Sequence, residues 1–406
     1  MNIPPADSLA GRTFRLDLTR AIPTGVVETL WTTFAVLIAV RFFGLSPSAK
    51  AALVASSSAG YLGSLFTVSL AARCGWRAPK VAGMLWGLAS TALAVVALSL
   101  PSAPVFLASL MAAAFLPPLS IPLMAQALNA NYGTDQRGKL FSLASMARMA
   151  MAMMSALAIG AWLDQGLERF PWLFGVYATC AAAVAVCLWR VQSPPVEAKP
   201  TRWLAAFGHA RRDRAFAKLL LVWMLIGLGN LISVAVYVEY AANPVHGLHL
   251  SSAAVGGLTS TLPTVFALVS ILIWGRMFDR RHFYRVRGLI NLLFVVSTLC
   301  YFGGGTLPWM ALGMAAHGLA RAGGDVSWNL WVTKFARPDQ VAEYMSVHAF
   351  LTGTRGLIAP FIGFHLLGHF PPQVVASICA TLILVGTSLI VPEMLDTSRK
   401  HGRSGA

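Results

Sequence analysis

Runs of about twenty apolar residues, separated by short polar or glycine- and proline-bearing breaks, recur along the whole chain. A helix rising about 1.5 Å per residue crosses roughly 30 Å of hydrocarbon in about 20 residues, so each run predicts a membrane-spanning α-helix. Twelve such spans are legible: 22–43, 50–72, 81–100, 104–128, 140–162, 172–190, 217–241, 253–275, 288–303, 308–332, 341–366 and 373–391. The ninth is short. Breaks at 44–50, 303–308 and 369–372 predict tight hairpins between neighbouring helices. Trp162, Trp172, Trp189, Trp274 and Trp309 fall near predicted ends, where indole favours the membrane interface.

One segment breaks this rhythm. Residues 191–218 hold Pro194, Pro195, Pro200 and a cluster of Lys and Arg, and they divide the spans six and six. The expected organisation is a cytoplasmic tail (1–21), a six-helix bundle (22–190), a cytoplasmic linker (191–216), a second six-helix bundle (217–391) and a cytoplasmic tail (392–406). Trp203, Leu204 and Phe207, followed by basic residues, suit either an in-plane amphipathic helix or a solvated tether. The halves also repeat. Asp135-Gln136 before Leu140-Phe141-Ser142 recurs as Asp339-Gln340 before Tyr344-Met345-Ser346, each just ahead of the fifth helix of its half. The fold class is thus an all-α membrane protein of twelve transmembrane helices in two six-helix pseudo-repeats.

Composition agrees: 57% of residues are hydrophobic and 11% charged, with a mean hydropathy of +0.67, against roughly 25% charged in an ordinary globular domain. A net charge of +16 raises nucleic acid as a partner, but the location of the basic residues excludes it. Of the 31 Lys and Arg, only Lys50 and Arg169 lie in outer loops, and Arg41, Arg148, Arg321 and Arg355 lie within or at the ends of spans. The rest fall on one side, which fixes both termini in the cytoplasm of a cell (inner) membrane protein. The five cysteines lack metal-ligand spacing and form no disulfide framework. Asp7, Arg12, Arg15, Asp17 and Arg20 precede an apolar run without a small-residue cleavage site, as in a cytoplasmic tail and signal anchor. Gly133 to Lys139 has phosphate-loop spacing, but Leu140 stands where a magnesium-ligating hydroxyl is needed and no strand precedes it. No cofactor, metal or nucleophile constellation follows, so the chain does not read as an enzyme. Its expected partners are the lipid bilayer, a small-molecule solute and protons, and it is expected to be a monomer.

The loop after the eighth span reads Gly275-Arg276-Met277-Phe278-Asp279-Arg280, with Arg285 following. This resembles the Gly-x-x-x-Asp-Arg loop motif of the major facilitator superfamily in its second-half position, and the resemblance extends over nearly the whole chain. A glycine of the motif is replaced by His282, and the first-half copy has Ala72 where the acid belongs. The resemblance implies that Gly275, Asp279, Arg280 and Arg285 form a conformational lock. Asp279 would face the start of the helix at Leu140, where a carboxylate gains from the helix dipole. Plain solvated loop charges are the alternative. The fifth helix has no Gly-Pro pair and the fourth no arginine, which disfavours a proton-driven multidrug exporter. The first, fourth, seventh and tenth helices are implied to line the cavity.

Pro117, Pro118 and Pro122 in the fourth span, and Gly323 and Gly324 at the equivalent place in the tenth, are expected to interrupt their helices beside the solute. Simple packing kinks are the competing reading. Charges buried at a helix centre cost about 2.5–3.5 kcal/mol each on insertion scales, so each needs a reason. Glu28, Arg148, Asp325, Arg321 and Arg355 lie at depths of roughly 9–21 Å from the inner face. Arg321, Asp325 and Asn329 share one face of the tenth helix at i, i+4 spacing. They suit a static pair or a switch that an anionic solute or proton opens, with Arg355 completing an anion clamp. Glu28 suits a proton carrier or an interhelical hydrogen bond, and Arg148 suits snorkelling to the inner face. Trp31, Gln126, Asn129, Asn230 and Trp328 are candidate cavity-lining residues, though interhelical hydrogen bonding or packing accounts for each. The function expected is a secondary active transporter, proton-coupled or exchanging, that moves a small solute by alternating access, with an organic anion favoured. A multidrug or sugar transporter, a transporter-like sensor and a lipid-modifying enzyme are the alternatives.

Overall fold

In a computed structural model the described residues are 4–5, 7–196, 208, 213–331 and 341–395, with the helical backbone alone described at 65, 134, 135, 215, 329, 330 and 341–343. The described chain is helical apart from its connecting turns and one isolated bridge between Arg77 and Pro195. The first six helices are α1 (Leu9–Arg41), α2 (Pro47–Arg73), α3 (Ala78–Leu98), α4 (Ala103–Asn131), α5 (Thr134–Leu163) and α6 (Phe170–Arg190). The second six are α7 (Arg214–Ala242), α8 (Ser252–Arg280), α9 (Phe283–Gly303), α10 (Leu307–Leu330), α11 (Val341–His369) and α12 (Pro372–Ser388). Nine helices of the described residues are long and apolar enough to cross a bilayer, making this a multi-pass membrane protein.

Several boundaries differ from those expected. α1 begins at Leu9, because Ser8 accepts the amide of Gly11 and starts the helix well before the apolar run. α9 begins at Phe283 rather than 288, which carries Arg285 and Arg287 out of the expected loop and into a helix. In α4 the prolines act as expected. Pro117 and Pro118 cannot donate to the ladder, and the helix breaks at Ser120, whose amide and hydroxyl both turn to the Pro117 carbonyl (3.0 and 2.6 Å). The matching expectation for Gly323 and Gly324 is overturned, since α10 runs unbroken through both. The missing side chain at Gly323 admits the ring of Trp274, 2.8 Å from where a Cβ would stand. The expected amphipathic helix at Trp203, Leu204 and Phe207 lies outside the described residues, as do Asp339 and Gln340.

The chain forms two compact units. The first comprises 1–200, 235–261 and 360–365, and the second 201–234, 262–359 and 366–406. In the first unit α3 packs along α6 and α1 along α5 and α6. Phe43, Phe106, Phe170 and Phe174 form a chain of mostly edge-to-face rings ending at Tyr177. The α1–α5 crossing depends on Gly25, where a Cβ would lie 2.3 Å from the Arg148 carbonyl oxygen. Gly25→Ile is expected to part these helices at a cost of about 1–3 kcal/mol, read as a lowered thermal midpoint of the purified protein. In the second unit α10 packs on α8 and α9, and α9 on α12.

Candidate functional site

Within the first unit, α1 carries Glu28 to the side of Arg148 on α5, and the two side chains form an ion pair while staying partly exposed. Arg148 therefore pairs inside the fold instead of snorkelling. Directly after Glu28 the helix widens into a π-turn, Leu30–Phe34, which contains Trp31. Such insertions leave carbonyls free of the regular ladder and often mark functional positions. Thr32 turns its hydroxyl back to the Glu28 carbonyl (3.1 Å), and Thr29 shares a buried hydrogen bond with Tyr177 (2.9 Å). A second π-turn, Gly257–Thr261, lies in α8. The hydroxyls of Thr33 and Thr259 join the two turns at 2.8 Å, and Thr261 donates to the Met153 carbonyl of α5 (3.1 Å). Neither π-turn was expected from the sequence, although each contains adjacent hydroxyl residues, Thr32-Thr33 and Thr259-Ser260-Thr261, in an otherwise apolar run.

Charged residues gather at the other end of α1, and one expected in an outer loop is buried there. Lys50 is not an exposed loop residue: it meets Glu239 at 2.7 Å, each side chain only 7% exposed. Asn243 donates to the same carboxylate oxygen at 2.8 Å, and Phe364 lies under the ammonium. Arg41 donates to the carbonyls of Ala242 and Leu250 and to the Ser252 hydroxyl. Asp164, at the end of α5, accepts the amides of Ser252 and Ala253 at the start of α8. Burial pushes the Asp164 carboxyl up, but the hydrogen bonds from Ala253, Ser252 and Ser251 together outweigh it and hold the group below the ordinary carboxylate range. A depressed folded pKa stabilises above the unfolded pKa and ceases to do so as pH falls through the folded value. Asp164→Asn is thus expected to unfold at a lower temperature than wild type at pH 7, with the two curves converging as pH falls below about 4.

In the second unit, Arg355 of α11 is buried. Its Nη1 donates to the Trp223 carbonyl of α7 at 2.5 Å. Arg287, carried into α9 by that helix's early start, lies over the Trp223 ring with its guanidinium carbon 3.9 Å from the centroid. His348 packs edge-on against Trp223 and Trp331, and Trp328 extends this cluster and reaches Thr352 at 3.4 Å. On α10, Arg321 is half-buried and Asp325 exposed, while the Asn329 side chain lies outside the described residues. Asn230 is half-buried and Asn129 exposed. Gln126 lines a hollow of the first unit with Ala78, Ala130 and Ser193 to Val196.

The sequence profile of the Major Facilitator Superfamily matches residues 22–256 and 233–405. The chain belongs to the Major Facilitator Superfamily. Solved structures of this superfamily's fold align over nearly its full length. The nucleoside transporter NupG matches at 14% identity and a TM-score of 0.75, covering 96% of this chain and 99% of that one. A D-xylose–proton symporter matches at 17% identity and 0.61, covering 94% and 95%. The peptide transporter POT, solved with sulfate, matches at 16% identity and 0.70, covering 95% and 94%. No curated protein matches the chain at a significant level. As a Major Facilitator Superfamily member, the protein is a membrane transporter of the secondary class. In its superfamily loop motif, Gly275 lies in the last part of α8, Asp279 and Arg280 are exposed at its end, and Arg285 donates to the Met394 carbonyl at 3.0 Å.

Proposed function

We propose that the protein moves a small organic anion across the cell inner membrane by alternating access, with proton coupling or exchange at the Glu28–Arg148 pair and both termini in the cytoplasm. The observation that carries this reading is the pair itself: an acid and a base on different helices, partly exposed within an apolar unit, beside a π-turn. A proton on Glu28 releases Arg148, whose guanidinium then takes an anionic group of the solute. Loss of the proton restores the pair and releases the solute. Arg321 and Asp325 supply a second exchangeable acid–base couple on α10, and Asp279 with Arg280 serves as the conformational lock. A neutral polar solute is the second reading, favoured by half-buried Trp31, Gln126, Asn230 and Trp328. The structurally similar proteins are a nucleoside transporter, a D-xylose–proton symporter and a peptide transporter, and these solute classes belong on the panel. The test is uptake of such a panel into proteoliposomes by wild type, Arg321→Ala and Asp325→Asn. Both variants are expected to slow transport of a confirmed solute at least roughly tenfold, the loss of one charged hydrogen bond. Unchanged transport in both removes α10 from the mechanism.

A further inference from the structure

Arg287 and Arg355 meet at one tryptophan deep in the second unit. Arg287 stacks on the Trp223 indole, and Arg355 donates to the carbonyl of that same residue. Both arginines are almost wholly buried, with exposures of 4% and 6%, and His348 beside them has 1%. Arginine keeps its proton in proteins, so the interior here holds two positive charges side by side. Among the described residues no carboxylate pairs with either. A ring face and a carbonyl are dipolar partners and cancel no net charge. Buried charges of one sign are costly without a counter-ion, and these repel each other as well.

The surroundings leave polar atoms of this cluster unmet. Arg355 Nε is buried with no acceptor in reach, and so is Nε2 of His348. Gly227 on α7 leaves open the volume that the Arg355 guanidinium fills; a Cβ there would stand 2.3 Å from its central carbon. Trp223 and Trp331 exclude water on one side. The unmet Arg355 Nε–H, with a second guanidinium across the same indole, matches the paired oxygens of a carboxylate or phosphoryl group far better than a spherical halide.

We propose that Arg287, Arg355 and His348 hold an oxyanion, a carboxylate or phosphoryl group, inside the helices of the second unit. The site belongs to the second unit, whereas Glu28 and Arg148 belong to the first, and it does not depend on how transport is coupled. The oxyanion is either a free small anion or the headgroup of an anionic lipid.

The test uses the full-length protein, purified in uncharged detergent and stripped of lipid. Its thermal midpoint is titrated with inorganic phosphate, with acetate, and with chloride at matched ionic strength. Phosphate or acetate is expected to raise the midpoint well beyond chloride, and Arg287→Gln or Arg355→Gln to weaken the apparent affinity roughly tenfold or more. If the glutamine variants do not fold, Arg287→Lys and Arg355→Lys keep the charge and lose the fork, and a selectively weakened oxyanion response supports the site. Native mass spectrometry of the unstripped protein separates the sources: retained anionic phospholipid, lost in the variants, identifies a headgroup, and its absence beside a phosphate or acetate response identifies a free anion. A wild type that responds to phosphate and acetate no more than to chloride, with no retained anionic lipid, overturns the proposal without any variant. Variants that respond as wild type does overturn it too.

Discussion

Replacing Glu28 with glutamine is expected to abolish gradient-driven accumulation while leaving solute exchange down its own gradient. The glutamine keeps the shape but has no charge to hold Arg148 and cannot exchange a proton between pH 5 and 8. If protonation of Glu28 is the step that frees Arg148, the variant holds Arg148 permanently in its released state. Solute then binds and crosses, but the proton gradient no longer drives it. The complementary Arg148→Met variant removes the anion-seeking group and is expected to lose both modes, by roughly tenfold or more for a lost charged contact. Counterflow and pH-driven uptake, measured on the same vesicles, separate the two. Equal loss of both modes in the glutamine variant would reduce the pair to a structural tie.

Lys50→Met is expected to be the most destabilising single change in the first unit. It leaves the Glu239 carboxylate buried without its cation, and breaking a buried pair from one side costs about 3–5 kcal/mol. Lys50→Met combined with Glu239→Leu removes both charges and is expected to recover most of that loss, since apolar replacement of a buried pair is often neutral or better. Thermal unfolding of the single and double variants measures the coupling directly. The transport reading adds a second expectation. These contacts tie residues 41–50 to 235–261, segments from opposite sequence halves, and alternating access requires such ties to break. The double variant is therefore expected to keep its stability while changing its transport rate.

What the sequence made legible follows the strength of each physical signal. Lipid demands long apolar helices, so their number and approximate positions are written in the hydropathy pattern. Pro117 and Pro118 were readable as a break because proline lacks an amide hydrogen wherever it sits. Gly323 and Gly324 were not, because glycine permits a break without forcing one, and here it serves to admit Trp274. Glu28 and Arg148 were each conspicuous in an apolar run, yet their pairing links α1 to α5 and depends on Gly25 bringing those helices together. Lys50 and Arg287 stand at helix ends, where a charge reads as solvated until tertiary contacts bury it, while Asp164 stays exposed and is tied down by amides of the next helix. Arg287 offered one faint sign: it follows Phe283 at i+4, and such spacing extends a helix face backwards from Ile290 and Asn291. The π-turns leave almost no trace in composition, because an inserted residue alters register rather than polarity.

The most direct measurement is uptake of a confirmed organic anion into proteoliposomes under an imposed inward proton gradient. The account predicts accumulation beyond the outside concentration that collapses on adding a protonophore or on dissipating the solute's own exchange partner. Saturable binding without accumulation or exchange, under any imposed gradient, would contradict it.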